Sequence, residues 1–215
     1  VSMKSELKRK SLHLTGLVVP IFYLLFGREA TLTLVGTAFF LFVMLEPFRI
    51  IEELRDNIKR RLRIYVDDEV FERVEVLERH IDEITRSHER YRVAAHIYFA
   101  AASFVVVYFF SMEIAVGAIT VATVGDALAA IVGKSRGRHR FPNGKSLEGS
   151  MAYLLSGLLI LWPLVGFLPA IIGALSGTVV EFYGIPPNAK REDQLDDNFS
   201  NQLTIALVLY LLSLL

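Results

Sequence analysis

Long, almost uncharged apolar blocks alternate along this chain with densely charged segments, and that alternation is the signature of a membrane protein. A soluble domain of 215 residues interleaves polar and apolar positions throughout; here 53% of residues are apolar and the mean hydropathy is +0.44. A helix needs about 20 mainly apolar residues to cross the hydrocarbon core, within a range of roughly 17–25. Seven blocks are read as spans: 11–27, 30–47, 93–110, 112–133, 151–166, 167–183 and 200–215. Pro163 and Pro169 interrupt the fifth and sixth, and Gly166 is expected to form a tight turn between two antiparallel helices. The block from Leu12 to Phe26 has the basic flank of a signal peptide, but Gly27-Arg28-Glu29 leads straight into the next block without a small-residue cleavage site. It reads as a retained helix. The expected fold is an all-α, polytopic transmembrane helical bundle of about seven spans, forming one domain over residues 1–215.

Lysine and arginine set the orientation, because positively charged loops stay in the cytosol. With seven spans, all of the 23 basic residues except Arg28 fall on one side. The chain therefore reads as a multi-pass protein of the cell membrane with a cytosolic N-terminus. Segment 48–92 is too charged to enter lipid. Ile51, Leu54, Ile58, Leu62 and Tyr65 recur at helical spacing, as do Val70, Val74, Leu77, Ile81 and Ile84. A cytosolic helical hairpin is expected there, with interleaved acids and bases forming a solvated face. Net charge is zero, which gives no sign of a nucleic-acid partner, and the lack of cysteine excludes disulfides and thiolate ligands.

The functional signal lies at the cytosolic ends of the spans. Glu6, Lys10 and His13 share one helix face ahead of the first span. Asp126 lies near the inner end of the fourth span, and Lys145-Ser146-Leu147-Glu148-Gly149-Ser150 opens the fifth. Glu181 ends the sixth, and Asp196-Asp197-Asn198 precedes the last. Singly, several of these have ordinary explanations. Glu6 with Lys10 is a surface i,i+4 pair worth a few tenths of a kcal/mol, His13 an interfacial histidine, and Asp196-Asp197 a solvated cap. Asp126 is different: an unpaired carboxylate inside an apolar helix costs about 2.5–3.5 kcal/mol on insertion scales.

Together the groups suit phosphate chemistry at a membrane edge. Asp126, Asp196, Asp197 and Glu181 offer oxygen ligands for Mg²⁺. Arg140 and Lys145 supply cations for phosphate oxygens, and Ser146 opens a helix whose N–H groups form an anion site. Gly144-Lys145-Ser146 is not a P-loop, since His139 stands where that motif requires glycine. Small residues form stripes, Ala118, Ala122, Gly125, Ala129 and Gly133 on the fourth span and Gly173 with Gly177 on the sixth. They imply close helix packing and, together with the helices expected over 48–92, make a homodimer plausible.

Three motifs, in order, resemble the CTP-dependent polyprenol kinases, a family that includes dolichol kinase, phytol kinase and a yeast-type diacylglycerol kinase. They are Glu6-x-x-Arg9-Lys10-x-x-His13-x-x-Gly16, Gly125-Asp126-Ala127-x-Ala129-x-x-Val132-Gly133, and Lys145-Ser146-x-Glu148-Gly149-Ser150, with Glu181 and Asp196-Asp197-Asn198 following. The resemblance implies a helical membrane enzyme with CTP as phosphoryl donor and an isoprenoid alcohol as acceptor. It implies Asp126, Lys145 and Asp197 as catalytic residues. It also implies nucleotide contacts from Lys10, His13, Gly125, Arg140, Lys145, Ser146, Glu148, Gly149, Ser150 and Asn198. Segment 48–92 has no counterpart in that family, and the chain is short beside dolichol kinases. A looser likeness to phosphatidate cytidylyltransferases, which make a CDP-lipid, lacks their glycine-rich carboxy-terminal signature. A transporter would carry polar groups near the midplane, where this chain is apolar. On this reading Asp126→Asn leaves folding nearly intact and abolishes lipid phosphorylation.

Overall fold

The computed structural model describes residues 3–50, 73, 76, 94–183 and 197–215. Among them every regular element is helical, apart from one isolated bridge between Arg140 and Ser146. In chain order the helices are α1 (Met3–Leu14), a 3-10 turn (Thr15–Leu17), α2 (Val18–Ile50), α3 (Ala95–Phe109), α4 (Met112–Arg136), α5 (Leu147–Val165), α6 (Phe167–Tyr183) and α7 (Asp197–Ser213). Apart from its end residues 48–50 and the isolated positions 73 and 76, the hairpin expected over 48–92 lies outside the described residues.

Among the described residues three apolar helical runs, rather than seven, meet the length and composition of a membrane crossing: Lys10–Pro47, Met112–Arg136 and Leu147–Val165. Ala95–Phe109, Phe167–Tyr183 and Phe199–Ser213 are apolar but shorter. At about 1.5 Å per residue, 15–17 residues rise roughly 22–26 Å, less than the hydrocarbon thickness of about 30 Å. The expected spans 11–27 and 30–47 fall within a single run, which departs from helical geometry at Gly27 (φ 77°, ψ −175°).

That departure reverses the chain. Before it, Gly16 lies against the ring of Phe99, near the start of α3; just after it, the Arg28 guanidinium donates to the carbonyl of Phe110, beyond the end of α3 (2.8 Å). Farther on, Gly36 meets Phe104, and the Glu46 carboxylate accepts the Ala94 N–H at 2.7 Å. The two legs thus run up and back along α3. Glycine suits the turn because its φ is positive, where a Cβ would strain the backbone. Arg28 closes the turn by also donating to the Tyr23 hydroxyl (3.2 Å), and it places a cation at the C-terminal end of α3.

The Glu46–Ala94 contact has a second effect. It brings together residues 46 and 94, on either side of segment 48–92, so little chain is needed to join them. Replacing residues 51–92 by a short Gly/Ser linker is expected to leave a folded bundle whose melting temperature in detergent stays close to that of the full chain.

Helix α4 sits at the centre, in contact with every other helix described above. Its small residues let α5 approach antiparallel: a Cβ at Gly117 would come within 2.7 Å of Leu161, at Gly125 within 2.8 Å of Tyr153, and at Gly133 within 2.9 Å of Ser146. Gly173 packs on Leu161 and Leu209, and Gly177 on Ile205 and Tyr153. These glycines of the two stripes are therefore used inside one chain, which removes their support for a dimer. Gly166 (φ 86°) turns α5 into α6, as expected. Ile119, Val121, Ala174, Ile205 and Leu209 fill the core between α4, α6 and α7.

Candidate functional site

The polar groups gather at the end of the bundle away from Gly27 and Gly166. In the last two turns of α1, Lys10 is only 3% exposed, and its ammonium pairs with the Asp126 carboxylate on α4. His13 places Nε2 3.3 Å from the same carboxylate oxygen and sets its ring edge-on to Phe99. Asp126 was the carboxylate that the apolar context made hardest to leave without a partner. Lys10 on α1 supplies one, across 116 residues of sequence.

A second pair forms beside it, between Lys145 and Glu181 near the end of α6. Lys145 is presented by a tight hairpin. Phe141 N–H donates to the Lys145 carbonyl, Leu147 N–H to that of His139, and Gly144 N–H to that of Phe141, each at 2.9 Å. The three-residue loop Pro142-Asn143-Gly144 carries Gly144 at φ 83°, the positive position such loops require. Asn143 ties the hairpin down: its Nδ2 donates to the Phe182 carbonyl at 2.8 Å, and its Oδ1 accepts from Lys145 N–H.

Tyr153 is the floor under both pairs. Fully buried, its ring lies against Gly125, next to Asp126, and against Gly177, one turn before Glu181. Its hydroxyl donates to Oδ1 of the buried Asn201 at 2.8 Å and stands in the field of both carboxylates. Tyr153→Phe would leave that acceptor buried without its donor. The expected loss is about 1–3 kcal/mol of stability, read as a lower melting temperature in detergent.

Other expected contacts take local roles. Ser146 is buried beneath Gly133 and Gly137, and its Oγ accepts the Gly149 N–H at 3.1 Å as the N-cap of α5. The Leu147 and Gly149 N–H groups expected to face an anion are thus used within the chain, as is that of Ser150, which donates to the Ser146 carbonyl. Glu148 accepts from the N–H groups of Arg138 and His139 and lies 2.9 Å from His139 Nδ1, so it folds its own loop. Arg140 donates to the Gly133 carbonyl at 3.2 Å, at the C-terminal turn of α4. Beside this loop lies an open depression of about 580 Å³, lined by Lys134, Arg136, Arg138, His139 and Glu148. Its rim is basic.

Asp196 lies outside the described residues. Asp197 and Asn198 open α7 one turn before Asn201 and Gln202, and their side chains are likewise outside the described set. Among the described residues no three acids or histidines converge as a ready metal cage. Asp126 and Glu181 instead each stand beside a lysine, and both act on Tyr153 between them. Sequence reasoning missed Tyr153 and Asn201. The signal for Asn201 was there, since Asn201-Gln202 is an amide pair inside an apolar block; Tyr153 carried none.

No family model matches the chain, and no solved structure matches it. Over 212 residues it is 25% identical to an uncharacterized protein of Rickettsia prowazekii, RP860; the match takes in 94% of this chain and 92% of that protein.

Proposed function

We propose that the protein is an integral-membrane lipid kinase that transfers the γ-phosphate of CTP to an isoprenoid alcohol. The observation that carries this reading is the pair of lysine–carboxylate contacts, Lys10–Asp126 and Lys145–Glu181, set on Tyr153 at one end of an apolar bundle. Phosphoryl transfer depends chiefly on positioning and on neutralising phosphate charge. Two ammonium groups and two carboxylates at a membrane edge supply both. The choice of CTP and of a prenol rests on the resemblance of the three motifs.

In this reading the alcohol oxygen forms a bond to the γ-phosphorus while the bond to the β–γ bridging oxygen breaks. CDP leaves, and the alcohol proton passes to a site carboxylate, a role we assign to Asp126. Mg²⁺ is commonly bound by one or two carboxylates together with substrate phosphates, a role for which Asp126 and Glu181 are the candidates; Asp197 is added on the motif resemblance alone. The ion would supply charge neutralisation on the phosphates. Lys10 and Lys145 would hold phosphate oxygens, and the basic depression would receive the rest of the nucleotide.

The two legs around Gly27 and the three shorter helices would complete seven crossings, with the site at the cytosolic face. Such a placement puts the alcohol tail in lipid and its hydroxyl beside Asp126. The test is direct. Purified protein is given Mg²⁺, prenols or phosphatidic acid, and CTP labelled at the α or the γ phosphate. Label from γ appearing in the prenol is expected. Label from α alone would show a cytidylyltransferase making a CDP-lipid, and ATP serving equally well would remove the nucleotide preference.

A further inference from the structure

We propose that Asn143 is a positioning residue, which ties the hairpin carrying Lys145 to the helix carrying Glu181 and so fixes where the lysine meets phosphate; the proposal rests on the phosphoryl-transfer reading. One side-chain amide makes both connections. Its Oδ1 accepts the Lys145 N–H at 3.1 Å, which holds the main chain from which the lysine springs. Its Nδ2 donates to the Phe182 carbonyl at 2.8 Å, one residue beyond Glu181. Phe182 lies in the last turn of α6, where carbonyls have no donor left within the helix. The amide therefore satisfies an α6 carbonyl and sets Lys145 against that helix at the same time.

Turn formation alone does not account for this residue. An asparagine or an aspartate makes such a loop through its acceptor oxygen, and either would serve. The donor half is surplus to the turn. It is the half that reaches α6, 39 residues away.

The base of the hairpin is held by the neighbouring helices, since Arg140 donates to the Gly133 carbonyl of α4 and Ser146 caps α5. Its tip meets α6 through Asn143 and through the Phe141 ring, which stands edge-on to Phe182 at 4.7 Å. Aromatic pairs attract over centroid distances of about 4.5–7 Å, whereas an N–H···O bond is confined to about 2.7–3.2 Å. The hydrogen bond, not the ring pair, sets the register. Lysine reaches its partner on a flexible four-carbon stem, so its ammonium is only as well placed as the main chain beneath it.

The experiment uses the full chain in detergent and two variants. Asn143→Asp keeps the acceptor and loses the donor, and Asn143→Ala loses both. Each is expected to raise the KM for CTP about tenfold, with kcat and the KM for prenol nearly unchanged. A purely structural role would lower kcat through lost active protein and leave both KM values alone. The sequence holds no cysteine, so Pro142→Cys takes a single spin label at the exposed tip. That spin label should move faster on the nanosecond scale in both variants.

A spin label that stays rigid in both variants overturns the proposal, as does a CTP KM that stays put although the tip is released. An effect confined to Asn143→Asp also overturns it, because it would trace to the added charge. A wild-type chain that passes no γ-phosphate to a prenol sinks the kinase reading by itself. Calorimetric affinity for CTP with Mg²⁺ then decides: a loss of about tenfold in both variants supports the tie, and no binding or no difference overturns it.

Discussion

Asp126→Asn is expected to destabilise the protein as well as end lipid phosphorylation, and adding Lys10→Met is expected to restore the stability without the activity. Lys10 is almost wholly buried, and its ammonium is matched to Asp126. Removing one partner of a buried pair strands the other, at a cost of about 3–5 kcal/mol. Replacing both by groups of similar size that carry no charge removes the stranded ion and is often neutral. Melting in detergent reads the first effect, and transfer of the γ label reads the second. A single variant that melts like the wild type would show that the pair holds nothing. A double variant that still phosphorylates would remove Asp126 from the chemistry. The sequence alone led to the opposite expectation for folding, because nothing in it identified Lys10 as the partner.

Gly149→Ala should have the other large effect. Its new Cβ would lie 2.8 Å from the Ala129 carbonyl oxygen and 3.3 Å from the Gly133 Cα. Both neighbours are main chain, so α4 and α5 must separate, and overpacking of this kind costs about 1–3 kcal/mol. The same shift disturbs the Ser146 cap and with it Lys145, so activity should fall together with melting temperature. Gly36→Ala is the control. Its Cβ meets only the edge of the Phe104 ring, at 3.3 Å, and a ring can yield. A variant at Gly149 that melts like the one at Gly36 would show that the helices are not in close contact there.

The contrast between these glycines marks what the sequence could and could not convey. Apolar block length and the clustering of lysine and arginine announced a helical membrane protein, and the turn at Gly166 was legible from the prolines around it. The glycine stripes announced close packing, but not that the partners lay within one chain. The count of crossings was less legible, because block length includes residues that fold outside the helix proper: the block read as 93–110 yields a helix of 15 residues. At the site, Lys10, Asp126, Lys145 and Glu181 were each identified as polar groups near helix ends. Which lysine meets which acid depends on helices more than a hundred residues apart in one pair, and no local pattern encodes that. Ser146 and Glu148 were expected at phosphates, because cap and ligand use the same residue types at helix starts. Tyr153 went unseen, since an aromatic residue in an apolar helix has no mark of its own until Asn201 is known to meet it.

Both pairs share an order that matters while the chain is being made. Lys10 precedes Asp126, and Lys145 precedes Glu181. Synthesis runs from the N-terminus, and early parts assemble first. Each acid therefore emerges into a nascent bundle where its lysine is already present. A carboxylate that reached lipid first would spend that interval uncompensated, whereas a lysine can wait with its long stem extended to the interface. The cation is made first and the anion arrives to meet it, so the costly half of each pair need never face the bilayer alone.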